Sequence, residues 1–314
     1  MSPSVSVVIP LYNKGLHIER TIHSVLSQTY QDFEVLVIDD GSEDEGPEIV
    51  QHFNDPRIRL IRQENRGVSA ARNRGIVESN TDFIAFLDAD DEWLPEFLET
   101  IMKLRDRYPD AGIYVTDRVN FEPDGGISRC RYQGIPQAPW EGLIPSYFLT
   151  AGLSDQPVCS SVAGIPKRVL MESGGFPAGI RIGEDLITWF NIALKYPVAF
   201  NSITGAIYHK EAENRTAEQA TSENWRTVIL QRSMDALSNG DVPEDKLDDV
   251  REFIAAYQIQ IARQHLFSGE KKETRRILSE CRTKILKKQK FILFTRSLLP
   301  GPYPQRGDHD MNTA

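Results

Sequence analysis

Four apolar runs of strand length open this chain, at residues 5–9, 35–38, 58–61 and 83–87, and they limit what it can fold into more than any other feature. Strands with one wet face alternate apolar and polar residues, whereas strands covered on both faces read as near-continuous apolar runs. Only Ser6 breaks the first run, and the second and fourth contain no polar residue at all. Between the runs lie helix faces. Ile18, Ile22, Val25 and Leu26 fall at i, i+4, i+7 and i+8. Ile49, Val50 and Phe53 mark a second helix, residues 68–76 a third, and Pro95 sits as the opening residue of a fourth that runs to about Arg107. Strands alternating with helices predict an α/β fold, a Rossmann-like and mostly parallel sheet flanked by helices.

Residues 112–164 are punctuated by glycine and proline and read mainly as loops. Helical character returns with Ile187, Phe190, Ile192, Ala193 and Leu194, just after Glu184-Asp185. Past about Thr216 the pattern changes. Val250, Phe253, Ile254, Tyr257 and Ile261 trace an amphipathic helix, and Ile277, Leu278, Cys281 and Ile285 trace another. The expected organisation is one α/β domain over residues 1–216 and an α-helical unit over 217–314.

A net charge of −9 argues against nucleic acid as a partner. Cys130, Cys159 and Cys281 lack the paired spacing of zinc or disulfide frameworks, which fits a reducing compartment. With no secretory leader visible and no apolar stretch near 20 residues, the expected location is the cytoplasm.

Polar residues gather where the strands end, and in open parallel sheets ligands bind beyond those carboxyl ends. Residues 5–9 lead into Pro10-Leu11-Tyr12-Asn13-Lys14, residues 35–38 into Asp39-Asp40-Gly41-Ser42, and residues 83–87 into Asp88-Ala89-Asp90-Asp91. Helix capping accounts for Ser42 but is a poor account of all three clusters. Two carboxylates one residue apart, Asp88 and Asp90, suit Mn²⁺ or Mg²⁺, hard cations that take oxygen ligands. Such an ion offsets charge building on a phosphate leaving group.

Four segments carry a resemblance in their order and spacing: residues 5–14, residues 33–42, Asn65-Arg66-Gly67-Val68-Ser69-Ala70-Ala71-Arg72-Asn73, and Phe86-Leu87-Asp88-Ala89-Asp90-Asp91. A fifth is Gly174-Gly175-Phe176 followed by Gly183-Glu184-Asp185. Over residues 5 to about 210 the chain resembles glycosyltransferase family 2, the inverting transferases of GT-A fold. The resemblance implies transfer of a sugar from a nucleotide-sugar donor, a UDP-sugar by preference, to a hydroxyl of a glycan or lipid-linked acceptor, in cell-surface polysaccharide synthesis. It implies that Tyr12 packs on the nucleotide base, with Pro10 lining the same wall, and that Asp40 accepts the base imide hydrogen bond. Arg72 would approach the diphosphate, Asp88 would face ribose and metal, and Asp90 would be the direct metal ligand. Asp185 would be the general base. Direct displacement at an anomeric carbon independently requires a carboxylate opposite the leaving group, and Asp185 follows a glycine-rich turn that could project it into a cleft. The competing account of Glu184 and Asp185 is a favourable interaction with a helix N-terminus.

Ile207-Tyr208-His209 stands where some relatives place a metal or diphosphate contact, and Asn214-Arg215-Thr216 strengthens that likeness; a loop histidine is the equal alternative. Asn191 and Ile187 depart from the family pattern, which bears on the acceptor. The absence of a Gln-x-x-Arg-Trp motif favours single-sugar addition. Two rival functions are a sugar-phosphate nucleotidyltransferase and a non-catalytic binding relative. From Lys271 to Arg296 only Glu273 and Glu280 are acidic, while Lys284, Lys287, Lys288 and Lys290 lie among Ile285, Leu286, Phe291, Ile292 and Leu293. This segment suits peripheral contact with the inner face of the cell membrane, and equally a solvated helix face.

Overall fold

The apolar runs form the strands they predict: those at residues 5–9, 35–38 and 83–87 are buried on both sides, while the run at 58–61 becomes a half-buried edge strand. β1 (Val5–Leu11) pairs in parallel with β2 (Phe33–Asp39) and with β4 (Phe83–Phe86), and β2 pairs in parallel with β3 (Ile58–Arg62). The remaining strands are β5 (Glu92–Trp93), β6 (Ile113–Phe121), β7 (Ile127–Arg129), β8 (Glu141–Leu143), β9 (Ala163–Pro166) and β10 (Val198–His209). The sheet order is β3-β2-β1-β4-β9-β6-β10-β5, with β7 on β6 and β8 on β10. This computed structural model describes residues 3–212 and 225–300. The expected boundary near residue 216 therefore lies outside the described residues.

One face of the sheet is covered by α1 (Gly15–Leu26) and α4 (Phe97–Arg107). Ile18, Ile22, Val25, Phe97, Ile101 and Leu104 pack there with Val7, Ile9, Val35, Val37 and Ala85. Towards the other face, α3 (Val68–Glu78) presses onto β1 at Gly75, where a Cβ would stand 2.3 Å from Val8 Cγ1. α2 (Gly46–His52), α6 (Lys167–Glu172) and α7 (Glu184–Lys195) are the other α-helices of this unit among the described residues.

Two expectations change. Residues 112–164 are not mainly loop, because β6 and β9 enter the sheet. Asp117, Arg118 and Asn120 break the apolar run of β6, and its pairing with β9 and β10 is non-local, so no local pattern marks it. The sheet is also more mixed than expected, since β9 runs antiparallel to both β4 and β6. Pro95 lies just ahead of α4 rather than in it; its carbonyl accepts the Thr29 amide at 2.8 Å.

The chain divides into two compact units, one made of Met1–Arg131, Ile135–Pro145 and Pro157–Glu223, the other of Tyr132–Gly134, Ser146–Gln156 and Asn224–Ala314. The second contains α5 (Tyr147–Leu153), α8 (Trp225–Asn239), α9 (Leu247–Phe267), α10 (Lys271–Glu280) and α11 (Lys287–Leu298). α9 is buried around most of its circumference rather than along one stripe, because it faces α5, α8, α10 and α11 in turn. A Cβ on Gly152 of α5 would lie 3.1 Å from the Phe253 Cα of α9. Ala255, Ile259 and Ala262 of α9 share a core with Ile277 and Leu278 of α10 and Leu293 of α11. Among the described residues no helix is long and apolar enough to cross a membrane.

Candidate active site

The site lies at the carboxyl ends of β1, β2 and β4, where the strand order reverses about β1. Each loop is braced by its neighbours. Asn13, at a positive φ of 51°, donates its amide to Ser42 Oγ at 3.1 Å, and its side-chain oxygen accepts the Glu43 amide at 2.8 Å. The 88–91 turn is held from α1: Thr21 Oγ lies 2.9 Å from the Ala89 carbonyl and 2.8 Å from that of Asp91, and Arg20 donates to the Asp90 carbonyl at 2.7 Å. Pro10 and Tyr12 sit at the end of β1 and just beyond it, with Tyr12 46% exposed and thus open to a planar partner.

Asp40 is buried, and its carboxylate accepts from Gln63 Nε2 at 2.7 Å, from the Arg66 amide at 3.0 Å and from the Gly67 amide at 2.7 Å. Gly67 precedes α3 at φ 86°. Asp40 thus anchors the loop that launches α3, an occupation beyond the expected contact with a base. A carboxylate has about four acceptor positions, so three bonds do not exhaust it.

Arg72 differs from expectation in a more informative way. Only 4% of its side chain is exposed, and its terminal nitrogens donate to Asp88 Oδ1 and Glu184 Oε1, both at 2.7 Å. Its guanidinium lies over the Phe176 ring, 5.2 Å from the centroid. Both terminal nitrogens are thus engaged with carboxylates, while the buried Nε has no partner among the described residues. Arg72 ties the loop after β4 to the start of α7. Asn73 repeats the tie: its side-chain amide donates to the Phe176 carbonyl at 2.7 Å and accepts the Phe176 amide at 2.9 Å.

Asp185 stands in the first turn of α7, partly buried, with Oδ1 accepting the Leu186 amide at 2.8 Å. Burial, the neighbouring Glu184 and the more distant Asp88 raise its carboxyl to about 7, while Arg72 pulls the other way. Asp91, fully buried, is pushed well above the usual carboxylate range by desolvation and by Asp90 and Asp88. It accepts from Ser161 Oγ and from the His209 amide, joining the end of β10 to the 88–91 turn.

His209 is buried, and its ring nitrogens face Glu92 Oε1 and Glu211 Oε1, each at 2.6 Å. The structure therefore does not assemble Asp88, Asp90 and His209 into one ligand set. Among the described residues no group of three or more His, Cys, Asp or Glu is placed to hold a metal ion. Asn214-Arg215-Thr216 lies outside the described residues.

Asp88 and Asp90 still suit a hard divalent cation on the chemistry of their oxygens. Each already draws a cation: Arg72 on Asp88, and Lys14 on Asp90 at 2.7 Å. Mg²⁺ typically takes one or two carboxylates and completes its shell with phosphate and water, so a third protein ligand is not required. Lys14, Glu184 and Asp91 stand within the motifs without an expected role there, and only the fold brings Lys14 onto Asp90, 76 positions away.

Residues 6–156 match the model of "Glycosyl transferase family 2". An uncharacterized glycosyltransferase of Rickettsia felis is 33% identical over 207 residues, 64% of this chain and 31% of that relative. Another, YibD of Escherichia coli K12, is 43% identical over 102 residues, 32% of this chain and 30% of that protein. The chain thus spans under a third of the length of these curated relatives. Among solved structures, Staphylococcus aureus TarS 1–349 in complex with UDP-GlcNAc superposes with a TM-score of 0.69 at 20% identity, covering 89% of this chain and 82% of that one. That likeness shows the GT-A fold.

Proposed function

We propose, from the match of residues 6–156 to glycosyl transferase family 2, that the chain is an inverting, metal-assisted glycosyltransferase that moves one sugar from a UDP-sugar to a hydroxyl of a glycan or lipid-linked acceptor. The family assignment sets aside the nucleotidyltransferase alternative. The observation that carries the reading is Asp185: a carboxylate raised to about 7, at a strand-end site, tied through the Arg72–Glu184 pair to Asp88. The UDP-GlcNAc held by TarS, a protein of the same fold, supports a uridine donor.

In this reading Asp185 removes the proton from the acceptor hydroxyl as its oxygen bonds to the anomeric carbon. The bond from that carbon to the diphosphate oxygen breaks on the opposite side, and the nucleoside diphosphate departs with the electron pair. A base near the working pH serves such a transfer well, contributing about 10²–10⁴-fold. Tyr12 stacks on the base, with Pro10 beside it and Asp40 accepting from the imide. Asp88 and Asp90 would hold Mn²⁺ or Mg²⁺, which when bound would offset charge growing on the leaving diphosphate. Arg72 acts by positioning: it keeps Asp88 and the Glu184–Asp185 turn in register.

Asp185→Asn tests this directly, since asparagine keeps the size and much of the N-terminal hydrogen bonding but takes no proton. The variant is expected to fold and to bind UDP with Mn²⁺ like the parent by calorimetry, while sugar transfer falls about 10²–10⁴-fold. Undiminished transfer by a folded variant would overturn the base assignment. Loss of UDP binding together with transfer would move Asp185 to the donor side.

A further inference from the structure

α11 carries apolar residues on two different sides. Leu293, with Ser297 one turn on, faces inward, and these residues are 3% and 1% exposed; Leu293 joins the core shared with α9 and α10. Phe291, Phe294 and Leu298 follow one another at i, i+3 and i+7 on the outer side, 68%, 37% and 61% exposed. A helix in water normally presents one apolar stripe and a polar remainder, so the second stripe needs a partner.

The charges beside that stripe choose among partners. α11 contains no acidic residue, and Lys287 and Lys288, one turn before Phe291, are exposed and make no ion pair among the described residues. Lys284 is exposed as well, although it pairs with Asp248 at 2.7 Å. In a chain of net charge −9 this local excess of lysine stands out. Two-fold pairing of this face with a second copy would set the same lysines of both copies against each other, whereas a negatively charged lipid surface offsets them. At 12 residues α11 is too short to span a bilayer, so its apolar stripe suits a helix lying in the interface plane.

We propose that the outer face of α11 is a docking surface for an anionic lipid bilayer. Phe291, Phe294 and Leu298 enter the acyl boundary, and Lys287 and Lys288 reach the headgroups along their flexible stems. The inner stripe stays on its own core, so docking requires no unfolding of the helical unit.

Sedimentation of the full chain with vesicles tests this, using phosphatidylcholine alone and equal parts phosphatidylcholine and phosphatidylglycerol. The parent is expected to bind the anionic vesicles and leave the neutral ones. Lys287→Gln with Lys288→Gln should lower partitioning by roughly thirtyfold. Phe291→Ser with Leu298→Ser should abolish it while circular dichroism and melting temperature hold. No binding by the parent, equal binding to neutral vesicles, or variants that bind like the parent would each overturn the proposal. So would a parent that runs as a dimer in gel filtration and becomes monomeric on Phe291→Ser with Leu298→Ser, because the stripe would then belong to a second copy.

Discussion

Asp185 is where burial and charge give one side chain a measurable signature. Its carboxyl rises to about 7 because desolvation, Glu184 and Asp88 outweigh Arg72. A base must be ionised to act, so kcat/KM for sugar transfer should climb with pH along a limb centred near 7, and fall off below it. An ordinary exposed aspartate would place that limb near 4. A flat profile from pH 5 to 8 would remove Asp185 from the reaction. The sign for stability is the reverse. The folded state holds a proton on Asp185 that the unfolded chain has released, so this group's contribution to stability is present below about pH 4 and is lost as pH rises through about 7. Asp185→Asn should therefore melt no lower than the parent at pH 8, the opposite of what loss of a simple helix cap would give. Arg72 is the other residue whose role depends on surroundings. Its place in the motif predicts a phosphate contact, while the fold buries it and commits its terminal nitrogens to two carboxylates.

At the scale of elements, the approach of α3 to β1 sets where Arg72 and Asn73 stand, and Gly75 makes that approach possible. Alanine is the better helix former by ~1 kcal/mol, which would favour Gly75→Ala in an open helix. Here the added Cβ would lie 2.3 Å from Val8 Cγ1, in a strand with no room to retreat. Overpacking of that kind costs about 1–3 kcal/mol, so the clash wins and Gly75→Ala should destabilise. Val8→Ala removes the methyl groups responsible. In that background Gly75→Ala should become neutral or stabilising, and a double-mutant cycle in urea measures the change of sign. Additive effects would mean that α3 does not rest on β1 at this point. The pair Asn73–Phe176 extends the same logic: α3 reaches the turn before α7 through two hydrogen bonds, at 2.7 and 2.9 Å.

For the whole molecule, the two units interleave along the chain: residues 146–156 belong with the helices that follow residue 224. α5 buries Tyr147, Phe148 and Ala151 in a unit whose other helices all come later in the chain. A chain cut after residue 216 would keep α5 and lose α9, the helix that Gly152 and Phe148 meet at Phe253. Uncovering side chains of that size costs about 1.5–3 kcal/mol each. The shortened chain should melt about 5 °C or more below the parent, or aggregate, as followed by scanning calorimetry and light scattering. A shortened chain as stable as the parent would show that α5 stands without α9.

The strands of the first half were legible residue by residue, because continuous apolar runs such as residues 35–38 and 83–87 have few ways to be buried other than as covered strands. The motifs at their ends were legible for a related reason: an Asp-x-Asp turn after a strand keeps its chemistry wherever the sheet places it. The family resemblance rested on the motifs in their order and spacing. What the tertiary structure decided were the pairings between residues far apart. Lys14 meets Asp90, Arg72 joins Asp88 to Glu184, and His209 turns to Glu92 and Glu211 instead of the Asp88–Asp90 turn. β6 was likewise hidden, since its polar residues read as loop until β9 and β10 supply the neighbours that make it a strand. Local sequence encodes backbone preference and side-chain chemistry and sets Glu184 beside Asp185, but burial belongs to the folded chain alone, and burial is the largest cause that moves Asp185 to about 7.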